Sequence, residues 1–505
     1  MGALKVHRVF TGIASCLSLL AMACSTVMEN AEPPVLQSTN GSSSAPAAKN
    51  VILFIGDGMG VSTVTAIRIL DGQEKGMQGE ENVLPFERFP HVALSKTYEL
   101  NQQVGASAGT ATAILTGRKT NSGMISVNRH AERGNCASAR GNGMQSSLEL
   151  AESIGLSTGV VTTSRLTHAT PAAAYAHVPE REWESDRSLT EEARQNGCTD
   201  IAAQLIDFPY GNGIEVALGG GRIKFFPKDA TDPEGVSTTK GRQDNRDLAQ
   251  EWTQKYPRSA YIWNQSQFDS INPETTDHLL GLFNSSHMQF EVDRAEDPAG
   301  EPSLAQMTQL AIEMLRRNSN GYFLLVEGGR IDHAHHFGNA YRALHDGIAF
   351  ADAVRVADEM ASEDDTLIIV TADHSHVFTI TGYPTRGNPI MGKVISNDSA
   401  GNPESHFDLM DDGKPYTTLG YQNGPGGAWV GGARPDLSDV DTQHDKDFLQ
   451  QAGMPRVSRE ESHGGEDVAV YARGPGAERI HGVMEQNEIF DAIDAAAQLN
   501  GRAND

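Results

Sequence analysis

The sequence predicts a three-layer α/β/α sandwich built on a mostly parallel sheet and carrying an inserted, loop-rich, crown-like subdomain. Three observations lead there. Runs rich in Val, Ile and Leu at 51–55, 92–97, 158–163, 215–218, 322–326, 366–371 and 467–472 alternate with helical patterns at 60–70, 109–116, 145–154, 199–206, 303–317, 339–360 and 486–498. Strands alternating with helices bury a parallel sheet on both faces. Several strands run straight into carboxylates and imidazoles, which in such a sheet meet at one edge. Between about 383 and 462 the alternation stops, and Gly, Pro, Asn and Asp crowd stretches such as YQNGPGGAWVGGARPD.

At 505 residues the chain buries most of its apolar surface in one large domain, read here as 49–500. Ahead of it, Lys5 and Arg8 precede an apolar stretch from Val9 to Ala23, and Ala21-Met22-Ala23 fits a cleavage site, so 1–23 reads as an export signal. Cys24 follows directly, which leaves two outcomes open: lipidation of that cysteine as a membrane anchor, or plain cleavage. Residues 24–48 are rich in Ser, Pro and Ala and read as a flexible tether. No other stretch approaches the ~20 apolar residues of a membrane span. The expected location is the periplasm, free or lipid-anchored to the bacterial envelope.

Sixty-six acidic residues against 40 basic ones give a net charge of −26, which argues against nucleic acid as a partner. An anionic substrate then needs a locally cationic site. With Cys16 in the signal and Cys24 at the mature end, Cys136 and Cys198 remain in the body, and in an exported protein they are expected to pair rather than stay as buried thiols.

The chemistry lies in six segments. Asp57 stands between glycines in VILFIGDGMG, where it either caps the following helix or bridges cations. Ser107 opens the small-residue helix of GASAGTATAILTG; it is an ordinary N-cap or, at the positive helix end, a nucleophile. No His–Asp relay lies near it in sequence, so a metal would have to lower its pKa. VVTTSRLTHATPA offers Arg165, whose guanidinium fork suits phosphate, with His168 and Thr170 close behind. In YFLLVEGGRIDHAHH, Glu327 ends a strand, and Asp332 and His336 are four apart, on one face of a helical turn. Asp373 and His374 end LIIVTADHSH, and His463 precedes the last long strand in ESHGGEDVAV.

Taken in order, GDGMG, SAGTATA, TTSR…HATPA, VEGGRIDHAHH, TADHSH and SHGGEDVAV resemble the alkaline phosphatase family from about residue 48 to 498. His168 and His333 make the chain more similar to animal-type members, as does the position of the Cys136–Cys198 pair. The resemblance implies two zinc ions and one magnesium. Asp332, His336 and His463 would hold the first zinc, and Asp57, Asp373 and His374 the second. Asp57 would be shared with a magnesium that also takes Thr170 and Glu327, with His168 reaching it through water. His376 and His333 would stand behind the zinc ligands. The implied activity is hydrolysis of small phosphate monoesters through a phosphoserine at Ser107, with Arg165 gripping the phosphoryl oxygens, in a homodimer.

Two departures carry expectations of their own. Family members have Asp just before the nucleophile, where it orients the arginine; here Ala106 stands there, so Arg165 is expected to be less fixed and Ala106→Asp to tighten phosphate inhibition. At the calcium site of animal-type members, Phe283 and Glu301 match loosely but Asn284 replaces an acid, so tight calcium binding is doubtful. The competing readings are a phosphodiesterase or sulfatase of the same superfamily, or a non-catalytic metal- or phosphate-binding protein. Against a sulfatase, Ser107 is followed by Ala-Gly-Thr rather than the C/S-x-P-x-R pattern.

Overall fold

The computed structural model describes residues 47–426, 433–455 and 460–503. The export signal, Cys24 and nearly all of the tether lie outside the described residues. The apolar runs become β1 (Asn50–Gly56), β2 (His91–Lys96), β3 (Ser157–Arg165), β4 (Val216–Gly220), β5 (Ser259–Ile262), β6 (His278–Leu282), β7 (Tyr322–Gly328) and β8 (Thr366–Ala372). Strands Val468–Arg473 and Gly482–Glu485 complete a 10-stranded sheet. From one edge its order is Gly482–Glu485, β2, Val468–Arg473, β8, β1, β7, β3, β4, β6 and β5. Val468–Arg473 runs antiparallel to both neighbours, and the other pairings are parallel.

Period-two alternation explains why the strands read as unbroken apolar runs. In β1, Val51, Leu53 and Ile55 enter the core on one face, while Ile52 and Phe54 enter the core on the other. The first core is closed by α2 (Ser107–Thr116) and by helices Ser147–Ser153 and Glu488–Ala497, through Ala111, Ile114, Leu148, Ile489 and Ile493. The second is closed by α1 (Val61–Glu74), Leu304–Leu315 and Ala340–Met360, through Ile67, Met307, Ala311, Leu344 and Val354. Each large aliphatic side chain so buried contributes roughly 1.5–3 kcal/mol. Local signals set the helix limits: Ser303 and Gln306 form a capping box at the start of Leu304–Leu315, and Arg317 Nε donates to the carbonyl of Met314 at its end, 3.1 Å away.

Phe378–Ile380, Leu419–Gly424 and Ala452–Pro455 form a three-stranded sheet, and Ser375–His376 pairs with His463–Gly464. Among these loops the buried ammonium of Lys393 donates to the carbonyls of Leu437, Ser438 and Val440 at 2.8, 3.1 and 3.1 Å. Cys136 and Cys198 form a disulfide with their Cα atoms 6.0 Å apart. Closing so long a loop contributes roughly 4 kcal/mol in the chain-entropy model, as an upper figure.

Candidate metal centre and nucleophile

Four neighbouring strands, β8, β1, β7 and β3, bring the chemistry to one edge. Asp57 follows β1, Glu327 lies in β7, Asp373 and His374 follow β8, and Arg165 ends β3. Register fixes them side by side: Ile55 is level with Glu327, Gly56 with Ala372, and Glu327 with Thr162. His463 arrives from far down the chain because its short strand pairs with His376. The glycines of the motifs make room. Gly58 has φ +69°, and a Cβ on it would come within 2.5 Å of the His376 ring. A Cβ on Gly109, in the first turn of α2, would come within 2.1 Å of the buried Glu99 carboxylate.

Ligand atoms converge in three groups, each within 4.8 Å: Asp332, His336, His376 and His463; Asp57, Asp373 and His374; and Asp57, His168 and Glu327. In the first group, His336 Nδ1 donates to the Glu461 carbonyl at 2.7 Å and His463 Nδ1 to the Gly105 carbonyl at 2.9 Å. A carbonyl only accepts, so each ring carries its hydrogen on Nδ1 and turns a bare Nε2 inward. Those two Nε2 atoms lie 3.1 Å apart, each 3.4 Å from Asp332 Oδ1. Lone pairs facing each other at that distance call for a cation. His376 is bonded at both nitrogens, Nδ1 to Glu461 at 2.6 Å and Nε2 to Asp332 at 2.8 Å. Burial works against its charge, yet Glu461 and Asp332 outweigh this and raise its pKa to about 10. Its ring thus bridges the Glu461 and Asp332 carboxylates.

In the second group, His374 Nε2 lies 3.4 Å from Asp57 Oδ1, 3.4 Å from Asp373 Oδ2 and 3.4 Å from Ser107 Oγ. Both Asp57 oxygens and Asp373 Oδ2 are buried with no hydrogen-bond donor, whereas Asp373 Oδ1 takes N–H bonds from Gly58 and His374 at 3.0 and 2.9 Å. Burial, then repulsion from Asp373, Asp332 and Glu327, pushes the Asp57 carboxyl well above its usual range. Only a positive charge among them lets these acids stay ionised together. In the third group, Glu327 Oε2 accepts from the hydroxyls of Thr162 and Ser164, while buried Oε1 has no donor and Thr170 lies beside it. Arg181 Nη2 donates to His168 Nε2 at 3.0 Å, so His168 carries its hydrogen on the unpartnered Nδ1. That N–H suits a water molecule better than a metal. The donor sets fit the implied ions, imidazole with carboxylate for zinc and all-oxygen for magnesium.

His333 does not join a ligand group; its ring lies 4.0 Å from that of His287 and 5.3 Å from that of His168. Burial, with Arg330 beside it, pushes its pKa down to about 3. His335, in the same motif, faces away and bonds Thr63 and Tyr421. The expectation of a loosely held Arg165 is corrected. Its Nε and Nη2 donate to the two oxygens of Glu184 at 2.7 and 2.8 Å, and Nη1 lies against His287 Nε2. Glu301, the loose match to a calcium ligand, has both oxygens taken, by Asn284 Nδ2 at 2.9 Å and the Gln289 N–H at 2.7 Å. Glu184, His287 and Glu461 all sit in loops without a recurring pattern, so no signal in the sequence singled them out.

A family model described as alkaline phosphatase matches residues 48–499. The chain is 47% identical over 456 residues to an alkaline phosphatase of Gadus morhua, covering 89% of this chain and 92% of that one. It is 47% identical over 457 residues to the tissue-nonspecific isozyme of Homo sapiens, covering 89% and 84%. Among solved structures, Thermus thermophilus alkaline phosphatase superposes with a TM-score of 0.62 at 24% identity over 90% of this chain and 92% of that one. The enzyme of the Antarctic bacterium TAB5 gives 0.60 at 23% over 90% and 99%. The solved structures match the three-layer fold with its mostly parallel sheet. The converging carboxylates and imidazoles, the serine beside them and these matches lead to one conclusion: the chain belongs to the alkaline phosphatase family, metal-dependent enzymes that hydrolyse phosphate monoesters.

Proposed function

We propose that this enzyme transfers the phosphoryl group of a monoester to Ser107 and then to water, with two zinc ions and one magnesium at the three ligand groups. The observation that carries this reading is the Ser107 Oγ, 3.4 Å from His374 Nε2 and bordered by buried carboxylate oxygens that no protein donor satisfies. Asp332, His336 and His463 would hold one zinc, Asp57, Asp373 and His374 the other, and Asp57, Glu327 and Thr170 the magnesium. When bound, these cations lower the pKa of a neighbouring hydroxyl or water and neutralise charge gathering on the phosphoryl oxygens.

The chain's own residues supply the rest. Ser107 opens a 10-residue helix whose N-cap, Ala106, offers no side-chain bond, so its oxygen sits at an uncapped positive helix end that favours the alkoxide. The serine oxygen forms a bond to phosphorus as the ester's P–O bond breaks, and the alcohol leaves with a proton. Water then attacks the phosphoserine, Ser107 regains its proton, and inorganic phosphate departs. Arg165 presents the N–H groups of Nη1 and Nη2 that His287 and Glu184 leave over to the phosphoryl oxygens, while its Nε edge is occupied by Glu184. Recognition rests on the phosphoryl group rather than the alcohol, which supports broad monoester use. Ser107→Ala tests the reading: it should abolish both turnover of p-nitrophenyl phosphate and trapping of a phosphorylated chain. Retained trapping elsewhere would remove Ser107 from the reaction.

We also propose export to the periplasm. The Lys5–Ala23 segment and the Cys136–Cys198 disulfide support an oxidising destination. Mass spectrometry of the mature N-terminus separates a lipid on Cys24 from plain cleavage. The loop-rich 383–462 insertion is proposed as a homodimer surface, supported by exposed Tyr383, Leu409, Met410 and Met454. Sedimentation equilibrium would test it.

A further inference from the structure

The family's arginine is steered by an acid just before the nucleophile, and this chain has Ala106 there. A guanidinium on a flexible stem loses grip on phosphate unless something holds its plane. Here a carboxylate approaches Arg165 from a different part of the chain. Glu184 takes Nε at 2.7 Å on Oε2 and Nη2 at 2.8 Å on Oε1, the paired geometry that fixes both position and plane. Glu184 is itself 4% exposed and anchored. The Thr167 hydroxyl donates to its Oε2 at 2.6 Å, and Lys224 Nζ stands 3.4 Å from Oε1. Its backbone is pinned by the Ala202 N–H at 3.2 Å, next to buried Trp183. Burial works against ionisation, but Arg165 and Lys224 outweigh it and hold the carboxyl below its usual range.

The other neighbour, His287, cannot do this job alone. The Arg165 backbone N–H donates to His287 Nδ1 at 3.2 Å, while Arg165 Nη1 faces Nε2 of the same ring. A neutral imidazole accepts at one nitrogen only, so it satisfies one of these donors. The carboxylate satisfies two guanidinium donors, on Nε and Nη2, and leaves the remaining Nη2 hydrogen and the Nη1 hydrogen not turned to His287 for a ligand.

We propose that Glu184 is the positioning residue for Arg165, taking the part that an acid at position 106 plays in the family. The proposal rests on the reading of Arg165 as the phosphoryl clamp. Its test is a double-mutant cycle in the metal-loaded enzyme, with inhibition by inorganic phosphate and kcat/KM for p-nitrophenyl phosphate as readouts. Glu184→Ala should raise the phosphate inhibition constant and lower kcat/KM by about tenfold or more, the scale of a lost charge-assisted pair. In an Arg165→Ala background the same change should move either quantity by no more than about twofold. Glu184→Gln, which keeps the volume, should behave like Glu184→Ala, and Glu184→Asp should recover part of the loss.

Equal losses in both backgrounds would mean that Glu184 acts on the fold and would overturn the proposal. So would unchanged phosphate inhibition in Glu184→Gln of wild-type metal content. If Arg165→Ala itself leaves phosphate inhibition unchanged, the clamp reading falls and the proposal falls with it, a result distinct from failure at Glu184 alone.

Discussion

Buried carboxylates crowd together at both ends of the central sheet, and the two ends solve the repulsion differently. At the carboxyl end, Asp57, Asp373 and Glu327 turn oxygens that lack donors toward one another and toward bare imidazole nitrogens. At the amino end, Glu152 and Glu215 meet beside the starts of β3 and β4, where donors surround Glu215 and reach one Glu152 oxygen, leaving Glu152 Oε2 without one. Glu215 accepts from Ser157 Oγ, Asn212 Nδ2 and the Thr158 N–H at 3.1, 3.0 and 2.7 Å, and Glu152 Oε1 accepts from Thr158 Oγ1 at 2.6 Å. Burial, then the charge of Glu215, pushes Glu152 up to about 9, so this pair keeps a proton. Like charges in a low-dielectric interior need either a cation or a hydrogen ion between them. Imidazole lone pairs facing the acids mark the first case.

The strongest way to break this contrast is at Asp57, shared by two ligand groups. Asp57→Ala should lower kcat by more than about 10³, since one preorganised electrostatic group is worth about 10²–10³ and this one serves two sites; steady-state kinetics at saturating zinc and magnesium would show it. Next comes Glu461, whose carboxylate bonds His376 Nδ1 at 2.6 Å and the Val377 N–H at 2.8 Å. Glu461→Gln should weaken zinc binding by roughly 10–100-fold with the ligands intact, measured by competition with a chelator.

The opposite end should answer to pH. Glu152 has a folded pKa raised above its unfolded value, so its contribution is full below the unfolded pKa of 4.5 and is lost as pH rises toward about 9. Stability should therefore fall with rising pH across that window by up to about 1.4 kcal/mol per pH unit. Glu152→Gln should flatten the slope in urea titrations at pH 6, 8 and 10, leaving kcat unchanged. The smallest effect is expected of Ala106→Asp. With Glu184 already holding Arg165, it should change phosphate inhibition by no more than about twofold in wild type, and by more when Glu184 is Gln.

How far the sequence revealed this depends on where each residue sits. Asp57, Glu327, Asp373 and His374 were legible because each interrupts an apolar strand at its end, and Asp332 with His336 because four-residue spacing shares a helical face. The strands at the centre were legible for the same reason. β5 was not, being four half-polar residues at an edge, nor was β6, interrupted by Gly281. Glu184, His287 and Glu461 reach the site from irregular segments, where no period ties side chain to position. Glu152 and Glu215 look like ordinary surface acids until the fold brings β3 and β4 side by side.

The most direct test of the account is metal content per chain, measured by elemental analysis on exhaustively dialysed enzyme beside its monoester hydrolysis. About two zinc ions and one magnesium are expected at the three ligand groups, with activity lost on chelation and regained when both metals return. Full hydrolysis by a chain holding less than one divalent ion would contradict it.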